Sequence, residues 1–330
     1  MKYARLGSSG LVVSRLCLGC MSYGDPKWRP WVLDEEAAKP FFRRAVEVGI
    51  NFFDTADMYS LGGSEEVTGR MLREYARMDE VVLATKVFFD MRRGAPNMGG
   101  LSRKHIVQAC EASLKRLGVE TIDLYQVHRF EADSPVDEML HALDHLVRQG
   151  KVRYLGASSS YAWKFMKALA VADAKGLTRF VSMQNHYNLM YREEEREMLP
   201  LCLDQGIGAI PWSPLARGLL ARSALGPGTT ARGGSDNLTP QLYDHPGDGA
   251  VVAANAAVAA ARGVSPAETA LAWLLARPGV TAPIVGVTKL EQLEAAVRAL
   301  DLGLTAEESA QLEAPYTPRP IRGWYEGRRS

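Results

Sequence analysis

Short apolar runs alternate with longer amphipathic stretches along almost the whole chain. The runs RLCLG (15–19), INFFD (50–54), VVLATK (81–86), DLYQVH (123–128), VRYLGAS (152–158), FVSMQN (180–185), GAIPW (208–212) and APIVG (282–286) have the length and residue content of buried strands. Between them, stretches such as EEAAKPFFRRAVEVG, SRKHIVQACEASLKRLG and SPVDEMLHALDHLVRQG carry a helical pattern. Ser102 and Ser134 are N-cap candidates, Gly118 and Gly150 mark helix stops, and Pro40 marks where the first helix begins or bends. Eight strands separated by helices predict a parallel sheet with crossover helices, and eight units match an α/β (β/α)8 TIM barrel. An open doubly wound sheet would carry G-x-G-x-x-G after its first strand, whereas the turn here reads LGCMSYGDP. Barrels routinely exceed the usual domain size, so residues 1–330 are expected to form a single domain.

Before the first barrel strand, YARLGSSGLVVSRL reads as a β-hairpin turning at SSG, suited to plug the barrel bottom. Two stretches break the alternation: 88–101 after strand three and 213–249 after strand seven. Loops of that length in a compact domain are candidate lids. The tail from Pro315 onward shows no periodicity.

Composition narrows the partners. With 39 basic and 38 acidic residues interspersed, nothing forms a basic stripe, and nucleic acid is not expected. No apolar run reaches the ~18 residues of a membrane span, and the N-terminus lacks the pattern of a signal peptide. Four cysteines make no disulfide framework, so a reducing, cytoplasmic setting is expected. Cys17 and Cys20 form a C-x-x-C inside an apolar run and read as core residues. His141 and His145 are four apart on a helix, but no third ligand joins them, and no metal site is expected.

In such a barrel the active site lies at the C-terminal ends of the strands. Those ends carry Asp54 with Tyr59 beyond it, Lys86, His128, Ser158, Gln184 with Asn185, Trp212 with Ser213, and Gly286. A carboxylate at the tip of a buried strand is costly unless paired. Lys86 is the partner if strands two and three are neighbours. A free tyrosine has a pKa of about 10, high for acid catalysis near neutrality. Lys86 is therefore expected to lower the pKa of Tyr59, with Asp54 holding the ammonium in place. Tyr59 then reads as a tuned proton donor and His128 as a second donor to a carbonyl oxygen.

Asp54, Tyr59, Lys86 and His128 together resemble the catalytic tetrad of the aldo-keto reductases. The phrases DTADMYSLGGSEEVTGR, EASLKRLGVETIDLYQVHR, GKVRYLGASS, QNHYNLMYR and WSPLARG resemble that family's blocks in order and spacing. The likeness is to its longer-chain branch, which includes aryl-alcohol dehydrogenase-like enzymes and the potassium-channel β subunits. It implies a barrel binding NADP(H) in extended form without a Rossmann domain. Ser158, Gln184 and Asn185 would hold the nicotinamide carboxamide, with Ser159 standing where many relatives have Asn. Trp212, where many relatives have Tyr, would stack on the nicotinamide. Ser213, Leu215, Arg217 and Gly218 would follow the pyrophosphate, and Gly286, Thr288, Lys289 and Gln292 the adenosine end. A helix start with Thr288 as N-cap and Lys289 as a cation suits a 2′-phosphate, favouring NADPH over NADH. Three more positions depart from the family: Ser60, where relatives often have Gly, and Ala295 with Ala296, where some carry polar residues near the adenine.

The resemblance implies NADPH-dependent reduction of an aldehyde or ketone, with a small-molecule carbonyl substrate as partner. Met21, Tyr23, Trp28, Phe88, Phe89 and Arg129 are candidates to line its pocket. The alternatives are an NADP(H)-binding sensor or auxiliary subunit with incidental turnover, and a barrel enzyme for a phosphorylated substrate. The oligomeric state is left open.

Overall fold

Alternate residues of each short strand face opposite sides of one curved sheet, and that alternation builds the molecule. The computed structural model describes residues 1–92, 94–130, 135–225 and 238–322. Strands β1 (Tyr3–Arg5) and β2 (Val12–Ser14) form the antiparallel hairpin. The barrel strands are β3 (Cys17–Gly19), β4 (Phe52–Asp54), β5 (Val82–Val87), β6 (Ile122–Val127), β7 (Val152–Ser158), β8 (Phe180–Gln184), β9 (Gly208–Ala209) and β10 (Ile284–Val285). They run parallel in the order β10-β3-β4-β5-β6-β7-β8-β9. Backbone bonds close the ring: Ala209 N–H to Gly279 O (3.0 Å), Thr281 N–H to Ala209 O (2.7 Å) and Ile284 N–H to Pro211 O (2.9 Å).

Inward-facing Phe52, Val82, Ala84, Leu124 and Ile284 form a buried cluster with Leu6, Val13, Cys17 and Ile210. Their outward-facing neighbours Leu18, Phe53, Leu83, Tyr125, Leu155 and Met183 pack in a second core under the surrounding helices. The hairpin does plug the lower end. Leu6 enters the inner cluster, and Ser8 N–H bonds Gly206 O at 2.7 Å. Gly7 has φ +59°, and a Cβ there would lie 2.3 Å from Gly206 O, so no other residue fits without movement.

The outer layer comprises α1 (Glu35–Glu47), α2 (Gly63–Tyr75), α3 (Arg103–Leu117), α4 (Val136–Arg148), α5 (Ala162–Lys175), α6 (Met198–Asp204), α7 (Thr239–Leu242), α8 (Asp248–Arg262), α9 (Pro266–Leu275), α10 (Leu290–Ala299) and α11 (Ala306–Glu313). Ser102 caps α3 as expected, accepting from His105 N–H, and Gly118 ends it in the left-handed conformation. Ser134 lies outside the described residues. Helix α1 does not begin at Pro40; Asp34 caps it, accepting from Ala37 N–H, and Pro40 sits inside. His141 and His145 are exposed on α4. The stretch after β5 folds back on itself, with Gly100 N–H donating to Phe88 O at 2.6 Å. Residues 226–237 of the other long loop lie outside the described residues. Among the described residues no single helix is long and apolar enough to cross a membrane.

Candidate active site

At the upper end of the lumen, inward-facing positions change from apolar to polar. Parallel pairing sets Asp54 opposite Ala84, and Lys86 lies two residues further along β5, on the same face and opposite Gln126. The Lys86 ammonium is buried, and its three N–H donors face three oxygen acceptors. It reaches Asp54 Oδ2 at 2.6 Å, Thr55 O at 2.7 Å and Tyr59 Oη at 3.3 Å. Asp54 Oδ1 accepts from the side-chain amides of Gln126 and Gln184, each at 2.9 Å, and Gln184 also donates to Gln126 Oε1 at 3.0 Å. The charges therefore sit inside a closed hydrogen-bond network, the condition under which a buried ion pair is tolerated. Gly156 makes room for it, since a Cβ there would lie 2.6 Å from Ser182 Oγ and 2.8 Å from Gln126 Cγ.

Tyr59 stands on the turn beyond β4, its ring 4.9 Å from Lys86 Nζ and edge-on to His128 at 5.7 Å between centroids. The next residue, Ser60, has φ 51°, a conformation that favours glycine. This departure from the family thus places a strained residue beside the phenol. Burial works against the Lys86 charge, but Asp54 and Tyr59 outweigh it and raise its pKa above the ordinary 10.5. The expected lowering of the Tyr59 pKa is corrected here. Burial is the largest influence and raises it above 10.0, Lys86 pulls the other way, and Asp54 adds to the rise. Asp54 offsets much of the ammonium's field, so desolvation wins and Tyr59 is a protonated phenol at neutral pH. His128 is held well below 6.5 by burial, then by Lys86 and Arg129. It is a neutral imidazole whose Nδ1 has no partner among the described residues.

Around this pair, Phe89 lies edge-on to His128 at 4.9 Å and Trp28 lies 6.3 Å from Tyr59. Arg129 sits over Phe89 at 5.7 Å, and Phe88 meets Phe89 at 5.2 Å. Met21 is half-buried. Tyr23 does not belong with them. It is fully buried, packs on Phe41 and Phe42, and donates to Val287 O, because its ring turns into the helix layer.

Of the other expected positions, Ser158 and Ser159 have their hydroxyls 3.3 Å apart, and Ser159 Oγ accepts from Trp212 Nε1 at 3.1 Å. The Gln184 side-chain nitrogen is committed to Asp54 and Gln126. The Asn185 amide nitrogen donates to Glu194 at 3.2 Å, leaving its buried Oδ1 without a partner among the described residues. Trp212 is half-buried, one face stacked on His186. Ser213, Leu215, Arg217 and Gly218 follow in one turn, with φ of 52°, 57° and 94° at Ser213, Arg217 and Gly218. Gly286, Thr288, Lys289 and Gln292 are exposed together at the start of α10. Thr288 is not its N-cap. Gln292 Oε1 accepts from both the Thr288 and Lys289 N–H groups, because its side chain reaches back to amides left open at a helix start. Ala295 and Ala296 are buried against the body of the protein.

Gln126 was missed by sequence reasoning, although it lies two residues before His128 and so on the same strand face. Also missed were Glu194 and His186, whose surroundings depend on how distant loops meet.

The Aldo/keto reductase family model matches residues 15–316. The chain is 42% identical to versiconal hemiacetal acetate reductase of Aspergillus parasiticus, covering 97% of this chain and 98% of that one. It is 43% identical to an aldo-keto reductase of Fusarium vanettenii, over 97% and 92%. It is also 43% identical to a Schizosaccharomyces pombe protein whose name assigns it provisionally to the aryl-alcohol dehydrogenases, over 97% of each. The chain belongs to the aldo/keto reductase family, and its likeness to the aryl-alcohol dehydrogenase-like branch holds. It is an oxidoreductase barrel of a family that generally uses NAD(P)H.

Proposed function

We propose that this protein is an NADPH-dependent reductase of aldehydes or ketones in which Tyr59 is the general acid. The observation that carries this reading is the Lys86 ammonium, shared between Asp54 and Tyr59 Oη, with a neutral His128 across from the phenol. Tyr59 holds its proton at neutral pH and can deliver it from Oη to a carbonyl oxygen. Lys86 stabilises the phenolate left behind through a bond already made. Neutral His128 offers an N–H to the same oxygen and orients it.

The residues fit a nicotinamide dinucleotide at the ring end. Trp212 offers a half-buried indole, and Asn185 Oδ1 is a buried acceptor with no partner among the described residues. Ser158, Ser159, Gln184 and Asn185 would hold the carboxamide, and Ser213, Leu215, Arg217 and Gly218 the pyrophosphate. Gly286, Thr288, Lys289 and Gln292 would hold the adenosine end, where Gln292 must release two amides to admit a 2′-phosphate. When bound, the reduced nicotinamide supplies the hydride for the carbonyl carbon. Trp28, Phe88, Phe89 and Arg129 favour an aromatic or apolar aldehyde.

Fluorescence titration with NADPH and NADH, followed by steady-state assays over an aldehyde panel, tests this reading. Tighter binding of NADPH and turnover within the usual enzyme range of ~1–10³ s⁻¹ are expected. Turnover below about one per minute on every substrate would favour an NADP(H) sensor instead. Failure to bind either nucleotide would overturn both readings.

A further inference from the structure

His186 belongs to neither the tetrad nor the cofactor positions, yet it is buried directly behind Trp212. Extension of the ladder beyond β8 and β9 sets it there: Trp212 N–H donates to Asn185 O at 2.9 Å, and His186 and Trp212 are bridge partners. Their rings stack at 4.2 Å and 11°. The chain then reverses between Asn188 and Tyr191, which exchange backbone bonds of 3.1 and 3.0 Å. Asn188 Oδ1 fixes the turn by accepting from the Met190 and Tyr191 N–H groups at 2.9 and 3.0 Å. The reversal lays Tyr191 on the other face of His186, at 4.1 Å and 11°. Tyr191, His186 and Trp212 form one column of parallel rings.

The column is anchored at several points. Asn188 Nδ2 donates to Ser213 O at 2.9 Å, tying the turn to the segment that carries Trp212. Arg322 N–H donates to Tyr191 Oη at 3.2 Å, and His186 Nε2 lies 2.6 Å from Tyr243 Oη. At the front, Ser159 Oγ accepts the indole N–H.

We propose that His186 is a positioning residue which, with Tyr191 behind it and Ser159 at the indole edge, fixes the plane of Trp212 for the nicotinamide. This rests on the reading that Trp212 takes that ring. Offset and parallel aromatic stacking holds an orientation that aliphatic packing of equal volume does not. Burial, then Arg217, Arg319 and Arg129, keep the imidazole pKa well below 6.5, so the stack carries no charge. The inference also joins two departures from the family, since Ser159 supplies the acceptor that the Trp212 indole needs.

The test compares His186→Leu, His186→Phe, Tyr191→Leu and Trp212→Leu for affinity toward NADPH and toward 2′-phospho-ADP-ribose, which lacks the nicotinamide. His186→Leu should weaken NADPH roughly 3–10-fold and leave the fragment unchanged, while His186→Phe restores NADPH binding to within about twofold. Tyr191→Leu should show the same pattern at smaller size, and serves if His186→Leu does not fold. Equal NADPH affinity in His186→Leu and His186→Phe, or an equal loss for the fragment, overturns the proposal. If Trp212→Leu leaves NADPH affinity unchanged, the nicotinamide reading fails and the positioning role with it. If Trp212→Leu weakens NADPH but His186→Leu does not, only the positioning role fails.

Discussion

The two ends of the barrel lumen are built from the same strands and do opposite things. At the lower end Phe52, Ala84 and Leu124 fill the space with carbon under the hairpin plug. Two residues further along each strand stand Asp54, Lys86 and Gln126, joined by hydrogen bonds. Below, stability comes from burying apolar surface, and almost any well-fitting hydrophobic residue would serve. Above, it comes from the mutual pairing of Asp54, Lys86, Gln126 and Gln184, and each of these groups is tied to its neighbour's identity. One rise of two residues separates scaffold from chemistry. The polar end can be this polar because the apolar end beneath it keeps the barrel closed.

Lys86→Met should have the largest effect, because it strikes both properties at once. Removing the ammonium leaves Asp54 buried without its counter-ion, with the Gln126 and Gln184 amides still donating to it, a loss of about 3–5 kcal/mol in denaturant unfolding. It also removes the group that stabilises the Tyr59 phenolate, so turnover of the remaining folded protein should be nearly abolished. Leu124→Ala, two residues below the polar layer, should cost about 2–5 kcal/mol. Its kcat per folded molecule should stay near that of the native chain. Loss of kcat in Leu124→Ala equal to that in Lys86→Met would erase the distinction between the two ends.

Glu194 sharpens the comparison from the polar side. It is buried like Asp54 but among the described residues accepts one hydrogen bond, from Asn185, and burial raises its pKa from 4.5 to about 8. An acid whose folded pKa is raised binds its proton more tightly when folded. Its stabilising contribution is complete below pH 4.5 and is lost as pH rises to about 8. Glu194→Gln keeps an acceptor for Asn185 and cannot ionise. Its stability relative to the native chain should therefore grow between those values and level off above, reaching a few kcal/mol on the order of 1.4 per unit. Parallel melting curves across that range would contradict the assignment.

The smallest effect is expected at Ser60. Its left-handed backbone costs about 1 kcal/mol, which Ser60→Gly should recover in part with little change in kcat. Lower stability in Ser60→Gly would show that the serine is held there by contacts worth more than the strain.

How far the sequence carries can be read at particular residues. Strand positions follow from the short apolar runs, and the pairing of Asp54 with Lys86 follows from strand adjacency. The last two strands are shorter than their apolar runs. Pro211 and Pro283 donate no N–H to the ladder, which leaves β9 as Gly208–Ala209 and β10 as Ile284–Val285. The direction of the Tyr59 shift was not legible, because a sequence names charges but not the water excluded around them. Tyr23 illustrates the same limit: its place after β3 suggested the pocket, whereas the turn after Gly19 points it into the helix layer. At Gln292 the signal was present, a glutamine three residues after a helix-start amide, and the exposed lysine beside it masked its role.

The central claim is that Tyr59 supplies a proton and nothing essential to binding. Tyr59→Phe, assayed by NADPH titration and by single-turnover reduction of the best aldehyde, tests it most directly. Affinity for NADPH should be nearly unchanged while the reduction rate falls by ~10²–10⁴, the usual contribution of a general acid. A rate close to that of the native chain would show that the proton comes from elsewhere.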